Sequence, residues 1–342
     1  MVYSNTQVRL ASRPTGVPTP ENFTIETADV PALQAGQVLV KISFISLDPA
    51  MRGWMNPGKS YIRPIGIGEV FRAGTAGQVV ESQNPAFAVG DYVTGNLGVQ
   101  QYALVGPGAA DPASPEYLLK VDTQIAPLEA YLATLGMPGM TAYFGLLNTG
   151  QPKAGETVVV SGAAGAVGSV VGQVAKLKGC RVVGLAGDPE KVDYCVRELG
   201  FDACINYKTE NVRTALRAAC PEGIDVYFDN VGGEILDMVL EQIRLKARIV
   251  ICGAISQYNN TTPVRGPGNY LSLLVNRARM EGIVVFDNAA HYGEAAREMA
   301  GWIKEGKLVS PKVQVEHGVE NFLPALLKLF SGQNFGKLVL AP

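Results

Sequence analysis

The sequence predicts an α/β protein in which a mostly β region precedes a parallel sheet covered by helices on both faces. The chain up to about residue 125 is rich in glycine, proline and β-branched residues, which is typical of short strands separated by turns. From about residue 127, helical patterns alternate with nearly continuous apolar runs, and strands of that kind lie inside a parallel sheet. With 342 residues, the chain is long enough for two domains.

Short apolar runs predict the strands of both regions. In the first region they are residues 38–43, 77–80 and 91–94, each bounded by turn residues. In the second they are residues 157–160, 181–185, 203–205, 224–228, 248–252 and 282–285. Six such strands, alternating with helical patterns such as residues 190–199, match a doubly wound sheet that binds a dinucleotide. From residue 313 the sequence is strand-like again with one helix near residues 323–330, and we expect this segment to fold back onto the first region.

The overall composition excludes several classes of function. Hydrophobic residues make up 47% of the chain and charged residues 18%, as in a globular protein with a sizeable core. A formal net charge of −2 gives no broad basic field, so we expect neither nucleic acid nor an anionic membrane surface as a partner. The longest apolar runs are too short to span a bilayer, and the N-terminal sequence has no signal-peptide core. We therefore expect a cytoplasmic protein.

The cysteines and histidines argue against a metal site. The five cysteines are scattered and contain no Cys-x-x-Cys pair, so neither a disulfide framework nor a structural zinc site is expected. The two histidines, His291 and His317, both lie late in the chain. A catalytic zinc needs three protein ligands, and their usual spacing is absent. We expect no metal.

A glycine-rich segment follows the first strand of the second region. Residues 161–168 have the sequence Ser-Gly-Ala-Ala-Gly-Ala-Val-Gly, a variant of the dinucleotide-binding fingerprint. Small residues allow a sharp turn and a close approach to a pyrophosphate, whose charge the amides of the following helix stabilise. A tight strand–helix turn without a ligand is the alternative. The strand before the loop, the helix pattern after it and the next strand together favour dinucleotide binding.

The choice between NAD and NADP depends on the end of the second strand of this sheet. NAD enzymes usually place an acid there to bind the ribose 2′-hydroxyl, and Asp188 is a candidate. Because Pro189 follows, Asp188 is more typical of a helix N-cap. Lys191 lies one turn further and can meet a 2′-phosphate, although it can also be solvated on an exposed face. These residue types favour NADP.

Several separate motifs are similar to those of one known family. They are residues 47–52 (Leu-Asp-Pro-Ala-Met-Arg), 135–147, 228–233, 252–259 and 333–337. Together they resemble the zinc-independent medium-chain dehydrogenases/reductases, in the branch of the leukotriene/prostaglandin reductases, plant alkenal double-bond reductases and bacterial curcumin reductase. The opening motifs, residues 10–14 and 20–23, are most similar to the curcumin-reductase type. The resemblance runs from near residue 8 to the C-terminus.

The resemblance implies a Rossmann coenzyme domain and a GroES-like β-barrel catalytic domain, with the active site in the cleft between them. The catalytic domain would span residues 1–130, the NADP-binding domain residues 131–312, and a C-terminal segment, residues 313–342, would return to the catalytic domain. The family uses NADPH without zinc and usually forms homodimers. Its activity would be reduction of the C=C bond of α,β-unsaturated ketones or aldehydes.

Cofactor-binding residues follow from the matching motif positions. The resemblance places the pyrophosphate at Gly165, Ala166, Val167 and Gly168. It places the 2′-phosphate at Lys191 and Tyr207, with Gly187 near the adenosine ribose. Residues that would follow the cofactor toward the nicotinamide are Asn230, Cys252, Gly253, Ala254, Ile255, Ser256 and Tyr258. Residues that would close over the nicotinamide are Ile283, Val284, Val285 and Asn334.

Reduction of an enone requires a donor to the carbonyl oxygen, where negative charge develops, and no protein nucleophile. The resemblance supports Tyr258 best as that donor, and Tyr61 is the second candidate. The alternative for each tyrosine is a structural role, as a packed aromatic residue whose hydroxyl forms a hydrogen bond within the protein. A quinone reductase and a non-catalytic NADPH-binding protein are the alternative functions, while alcohol dehydrogenation is disfavoured because it usually needs zinc in this fold.

Ala50 departs from the family pattern. Relatives commonly carry tyrosine at this position of the Asp-Pro-x-Met-Arg motif, and that tyrosine lies at their substrate site. Alanine removes a bulky, polar-tipped side chain. We therefore expect a roomier or differently shaped substrate pocket in this chain.

Overall fold

The computed structural model describes residues 3–342, and they form two compact units. The first unit runs up to Leu132 and takes in Val313–Asn334 and Leu338–Pro342. The second unit comprises Ala133–Lys312 and the short segment Phe335–Lys337. No helix within residues 3–342 has the length and apolar character needed to cross a bilayer.

The amino-terminal part of the first unit is mostly β. Its elements are β1 (Ser4–Leu10), β2 (Phe23–Asp29), β3 (Val38–Ser46), α1 (Ala50–Trp54), β4 (Thr75–Ser82), β5 (Tyr92–Gly95), β6 (Tyr102–Val105) and β7 (Leu119–Lys120). The second unit begins with α2 (Met137–Phe144) and continues with alternating strands and helices. These are β8 (Thr157–Ser161), α3 (Gly168–Leu177), β9 (Arg181–Ala186), α4 (Pro189–Arg197), β10 (Ala203–Asn206), α5 (Val212–Ala219), β11 (Ile224–Asp229), α6 (Gly233–Leu240), β12 (Ile243–Ile251), α7 (Leu271–Val275), β13 (Arg279–Gly282) and α8 (Tyr292–Lys304). The chain then adds β14 (Val313–His317), α9 (Phe322–Ser331) and β15 (Lys337–Ala341).

Antiparallel pairing organises the first unit. Strands β1 and β2 form a two-stranded sheet, and a seven-stranded sheet has the order β14-β15-β3-β4-β5-β7 with β6 also paired to β3. Three aromatic rings in its core connect β2, the segment before β4 and α9. The ring centroids of Phe71 and Phe322 are 4.8 Å apart, and Phe23 lies 5.7 and 5.6 Å from them. These contacts hold the carboxy-terminal helix α9 on the first unit.

A parallel six-stranded sheet with the order β10-β9-β8-β11-β12-β13 forms the centre of the second unit. Counted within the unit, this is the order of a doubly wound nucleotide-binding sheet. Alternate residues of β8 face opposite sides: Val158 and Val160 pack in one core with Val170 of α3, whereas Val159 packs in another with Leu216 of α5. Helices therefore cover both faces, which confirms the predicted α/β class and Rossmann arrangement.

The sixth strand lies earlier in the chain than the apolar pattern predicts. It comprises Arg279–Gly282, and all four residues are exposed at the edge of the sheet. The apolar run that indicated a strand at residues 282–285 instead follows it, and a 3₁₀ helix begins at Val285. The predicted position of this strand was wrong because, at this edge of the sheet, the half-buried apolar residues lie after the strand and the residues of the strand itself are exposed.

Candidate functional site

The order of the parallel sheet places its reversal point between β8 and β11. The strand order reverses between these neighbours, so the connections that follow them lead to opposite faces of the sheet. Ligands of open α/β sheets bind at such a reversal. The glycine-rich loop follows β8, and the segment beginning at Asn230 follows β11.

The glycine loop makes a sharp turn that closes on its own backbone. Gly162 has φ of +60°, and its carbonyl accepts a hydrogen bond from the Gly165 amide at 2.9 Å. A Cβ atom at Gly168 would lie 2.3 Å from the Gly162 oxygen, so only glycine fits where α3 begins. The predicted pyrophosphate residues Gly165, Ala166, Val167 and Gly168 therefore form one turn into a helix N-terminus. Backbone amides at such a helix N-terminus fit a dinucleotide phosphate.

A buried carboxylate fixes the segment after β11 against the end of β8. One oxygen of Asp229 accepts hydrogen bonds from Ser161 Oγ (3.1 Å), the Tyr227 hydroxyl (2.8 Å) and the amides of Val231 (2.9 Å) and Gly232 (2.8 Å). Burial is the main reason that the pKa of Asp229 is raised, against the opposing effect of these donors. The network sets the backbone that carries Asn230.

Asn230 is held on the same serine by two bonds. Its amide donates to Ser161 Oγ at 2.9 Å, and its side-chain Nδ2 donates to the Ser161 carbonyl at 2.7 Å. Its own carbonyl accepts from the Ile255 amide at 3.3 Å. Asn230 thereby links the end of β8 to the loop after β12.

The loop after β12 packs along the segment after β11. The amides of Cys252 and Gly253 donate to the Asp229 carbonyl at 2.9 and 3.1 Å, and Ser256 donates to the Val231 carbonyl through its amide (3.2 Å) and its hydroxyl (2.6 Å). Burial raises the pKa of the Cys252 thiol to about 12, so this cysteine is not a nucleophile at neutral pH. The structure thus collects the predicted residues of this loop beside Asn230.

Tyr258 closes the same loop on itself. Its phenol oxygen accepts a hydrogen bond from the Ala254 amide at 3.2 Å, and a Cβ atom at Gly253 would lie 2.9 Å from that oxygen. In this bond the phenol oxygen is the acceptor. The arrangement fixes a hydroxyl group close to the carboxyl end of the sheet.

A charged cluster lies at the carboxyl ends of β9 and β10. Asp188 contacts two lysines, with its oxygens 3.2 Å from Lys191 Nζ and 3.0 Å from Lys208 Nζ. Lys208 and then Lys191 hold the pKa of Asp188 below its ordinary value. A Cβ atom at Gly187 would lie 2.6 Å from the Tyr207 hydroxyl, so this tyrosine passes directly over the glycine.

Asp188 occupies the N-cap position of α4, as its place before Pro189 indicates, but its side chain makes no capping hydrogen bond. The two lysines attract the carboxylate instead. The sequence analysis did not identify Lys208 as part of this cluster. Its position directly after Tyr207, at the end of a strand parallel to β9, is the feature that could have indicated it.

The remaining predicted residues divide between the two units. Ile283 follows β13 with its amide bonded to the Ile251 carbonyl at 3.1 Å, and Val284 and Val285 lead into the 3₁₀ helix. Asn334 belongs to the first unit, in the turn after α9. Tyr61 also belongs to the first unit; it is 54% exposed, and its hydroxyl accepts from Trp54 Nε1 at 3.2 Å.

Two family profiles match the chain. One, described as the N-terminal domain of oxidoreductase, covers residues 6–111, and the other, described as zinc-binding dehydrogenase, covers residues 166–302. Despite the second description, no group of three or more His, Cys, Asp or Glu side chains within residues 3–342 could hold a metal ion.

Characterised relatives match nearly the whole chain. The NADPH-dependent curcumin reductase of Escherichia coli is 43% identical over 97% of this chain and 95% of its own length. The NADP-dependent 2-alkenal reductase of Nicotiana tabacum is 41% identical over 98% of this chain and 97% of its own. The crystal structure of Vibrio vulnificus CurA in complex with NADPH has 43% identity and a TM-score of 0.90, covering 98% of both chains.

Proposed function

This chain belongs to the zinc-independent branch of the medium-chain dehydrogenases/reductases, and we propose that it reduces the C=C bond of α,β-unsaturated ketones or aldehydes with NADPH. The observation that carries this proposal is the similarity to enone and alkenal reductases over almost all of the chain, at 41–43% identity. At this identity and coverage, both the coenzyme unit and the unit that would contact substrate are shared with those relatives.

The geometry of the second unit supports the cofactor assignment. The turn of residues 165–168 would hold the pyrophosphate, and Lys191 and Tyr207 beside Gly187 would hold the 2′-phosphate. Lys208 joins this group because it shares the Asp188 carboxylate with Lys191. Two cations outnumber the one acid, which favours a phosphate over a hydroxyl at this position.

The protein's part in the reaction is to orient the substrate and stabilise its carbonyl oxygen. NADPH, when bound, supplies the hydride that is added to the β-carbon of the enone. Negative charge then develops on the substrate oxygen, and a donor already in position lowers that barrier. Tyr258 is our first candidate because its hydroxyl is fixed by the Ala254 amide, and Tyr61 is the second. A proton from solvent or from a tyrosine then adds to the α-carbon and completes the saturated product.

An assay with three classes of acceptor tests this function. The purified protein is incubated with NADPH and a panel of enones, enals and quinones, and both NADPH loss and product mass are recorded. We expect saturated ketones or aldehydes as products. Turnover of quinones alone would assign a quinone reductase, and tight NADPH binding without turnover of any acceptor would assign a non-catalytic protein.

We also propose that the protein is a homodimer in the cytoplasm. Edge strand β13 is exposed along its length, and the neighbouring helix α7 exposes Leu271 (56%), Leu274 (74%) and Val275 (69%). An open edge beside apolar side chains is a surface that a second copy can cover. The five cysteines are free thiols, which is the usual state in a reducing compartment.

A further inference from the structure

Asp188 lies at the point of the second unit's sheet where the adenosine ribose of a dinucleotide is expected. It follows Gly187, and β9 ends one residue earlier, at Ala186. In sheets of this order, an acid close to this point accepts a hydrogen bond from the ribose 2′-hydroxyl of NAD. The Asp188 side chain is 41% exposed, so a ligand can reach its carboxylate. An acid of the type that recognises NAD is therefore present beside the residues that we assign to NADP.

Two lysines from different elements share the Asp188 carboxylate, and we call these three residues the Asp188 cluster. Lys191, in the first turn of α4, places its Nζ 3.2 Å from Oδ2, and Lys208, after β10, places its Nζ 3.0 Å from Oδ1. Each carboxylate oxygen has two lone pairs. One lysine on each oxygen therefore leaves a second acceptor direction for a hydroxyl group.

The side chain of Asp188 is not needed to begin α4. It forms no capping hydrogen bond, and the Val192 amide donates to the backbone carbonyl of Asp188 at 3.0 Å. That carbonyl is present whatever side chain the residue carries. Lys191 is only 14% exposed, so its neighbours cover most of its side chain. The contribution of the Asp188 carboxylate is therefore mainly electrostatic.

The charge of Asp188 acts in opposite directions on the two forms of the cofactor. Two ammonium groups and one carboxylate give the Asp188 cluster a net charge of +1, which attracts a 2′-phosphate. The phosphate would pair with both lysines, but it would also lie close to a carboxylate of like charge. A 2′-hydroxyl has no charge and can donate to that carboxylate. The same side chain therefore weakens the binding of NADPH and strengthens the binding of NADH.

We propose that Asp188 gives this chain NADH as a second cofactor beside the preferred NADPH. NADH binds with its 2′-hydroxyl donating to Asp188, whose charge Lys191 and Lys208 continue to balance. NADPH binds with its 2′-phosphate on the two lysines, and Asp188 remains beside it as a like charge. Asp188 is thus the residue that narrows the preference for NADPH. This inference rests on the cofactor-binding part of the proposed function, which places the ribose beside Gly187.

Titration of both cofactors on variants of Asp188 tests this proposal. The fluorescence of the reduced nicotinamide gives Kd for NADPH and NADH with the wild type, Asp188→Asn and Asp188→Ala. Removal of a partly exposed like charge should lower the Kd of NADPH about threefold in both variants. Asp188→Ala should raise the Kd of NADH about tenfold, because a hydrogen bond to a charged acceptor is lost. The effect on NADPH should shrink as salt is added, since exposed charges are screened.

Asp193→Asn and Asp193→Ala are the matched controls. Asp193 is 61% exposed on α4, 3.5 Å from Arg197, and its replacement changes the net charge equally. Neither control should change the ratio of the two Kd values. A shift as large in the Asp193 variants as in the Asp188 variants would overturn the proposal. Weaker NADPH binding by both Asp188 variants would also overturn it, because the carboxylate would then serve only to position the lysines.

Binding and turnover together separate this inference from the proposed enone reduction. Discrimination between the cofactors that depends on Asp188, without turnover of any acceptor, would overturn the proposed reaction and leave the role of Asp188 standing. Reduction of enones by a wild type that does not bind NADH would overturn the role of Asp188 and leave the proposed reaction standing.

Discussion

The ammonium group of Lys191 lies 3.2 Å from the carboxylate of Asp188, and only 14% of the Lys191 side chain is exposed. The lysine is thus held beside the end of β9, where NAD enzymes place an acid for the ribose 2′-hydroxyl. The chain carries such an acid, yet Lys191 and Lys208 both neutralise it. The 2′-phosphate of NADPH can replace the Asp188 carboxylate as the ion-pair partner of both lysines.

Replacement of Lys191 by alanine should weaken NADPH binding much more than NADH binding. Loss of one charge-assisted hydrogen bond to the 2′-phosphate costs roughly 1.5–3 kcal/mol, or about ten- to a hundredfold in Kd. Fluorescence titration with both cofactors measures the difference. Lys178→Ala, an exposed lysine at the end of α3, serves as control. Equal losses for NADPH and NADH in Lys191→Ala would contradict the assignment.

Replacement of Tyr258 by phenylalanine should lower kcat for enone reduction by about a hundredfold, the typical cost of one oxyanion donor. KM and NADPH affinity should change little, because the ring and its packing are kept. Steady-state kinetics of Tyr258→Phe and Tyr61→Phe would show which hydroxyl acts. Tyr270→Phe is the control, since Tyr270 is 58% exposed in the same unit. If kcat of Tyr258→Phe equals that of the control, Tyr258 is not the donor.

The sequence predicts elements best where local pattern and tertiary burial agree. β8 and β11 are buried along their whole length, and their apolar runs match the observed strands to within one residue. The apolar pattern does not predict β13, because an exposed edge strand does not require apolar residues and Arg279–Gly282 contains no apolar run. Pairing of β13 with β12, a contact distant in sequence, decides its position.

The same distinction holds for the candidate site. The glycine turn is local, and a sequence of eight residues contains all of it. Lys208 contributes only because β10 pairs with β9 in parallel, which brings its ammonium to Asp188, 20 residues earlier.

Introduction of tyrosine at Ala50 should narrow the range of substrates. Ala50 is the first residue of α1 and is partly buried against the core of the first unit. A bulky side chain there should reduce kcat/KM for bulky enones and leave small enals nearly unaffected. Competition assays with pairs of substrates measure this preference, and Ala50→Ser controls for the substitution itself. Identical preference profiles for wild type and Ala50→Tyr would refute a role for Ala50 in pocket shape.

Removal of the Asp229 carboxylate should destabilise the second unit. Asp229→Ala leaves four donors without their acceptor and should cost about 3 kcal/mol in the free energy of unfolding. Asp229→Asn keeps an acceptor oxygen and should cost much less. Urea denaturation of both variants measures these costs. Similar losses for the alanine and asparagine variants would show that the acceptor oxygen is not what stabilises the turn.

With aspartate or asparagine at position 229, the free energy of unfolding should also depend differently on pH. Because the folded pKa of Asp229 is raised above 3.8, its protonated form favours folding. That contribution is fully present below the unfolded pKa and is lost as pH rises through the folded pKa. Asparagine does not titrate, so the stability of Asp229→Asn relative to wild type should increase with pH across this window. A pH-independent difference would contradict the raised pKa.

A charge placed on α7 should dissociate the proposed dimer. Leu274 is 74% exposed beside edge strand β13, so aspartate there leaves the fold of one copy intact but places a charge in a dry interface. Sedimentation equilibrium should give a dimer for the wild type and a monomer for Leu274→Asp. Val89→Asp is the matched control, because Val89 is an exposed aliphatic residue (65%) in the first unit. A monomeric wild type, or a Leu274→Asp variant that remains dimeric, would place the contact elsewhere or remove it.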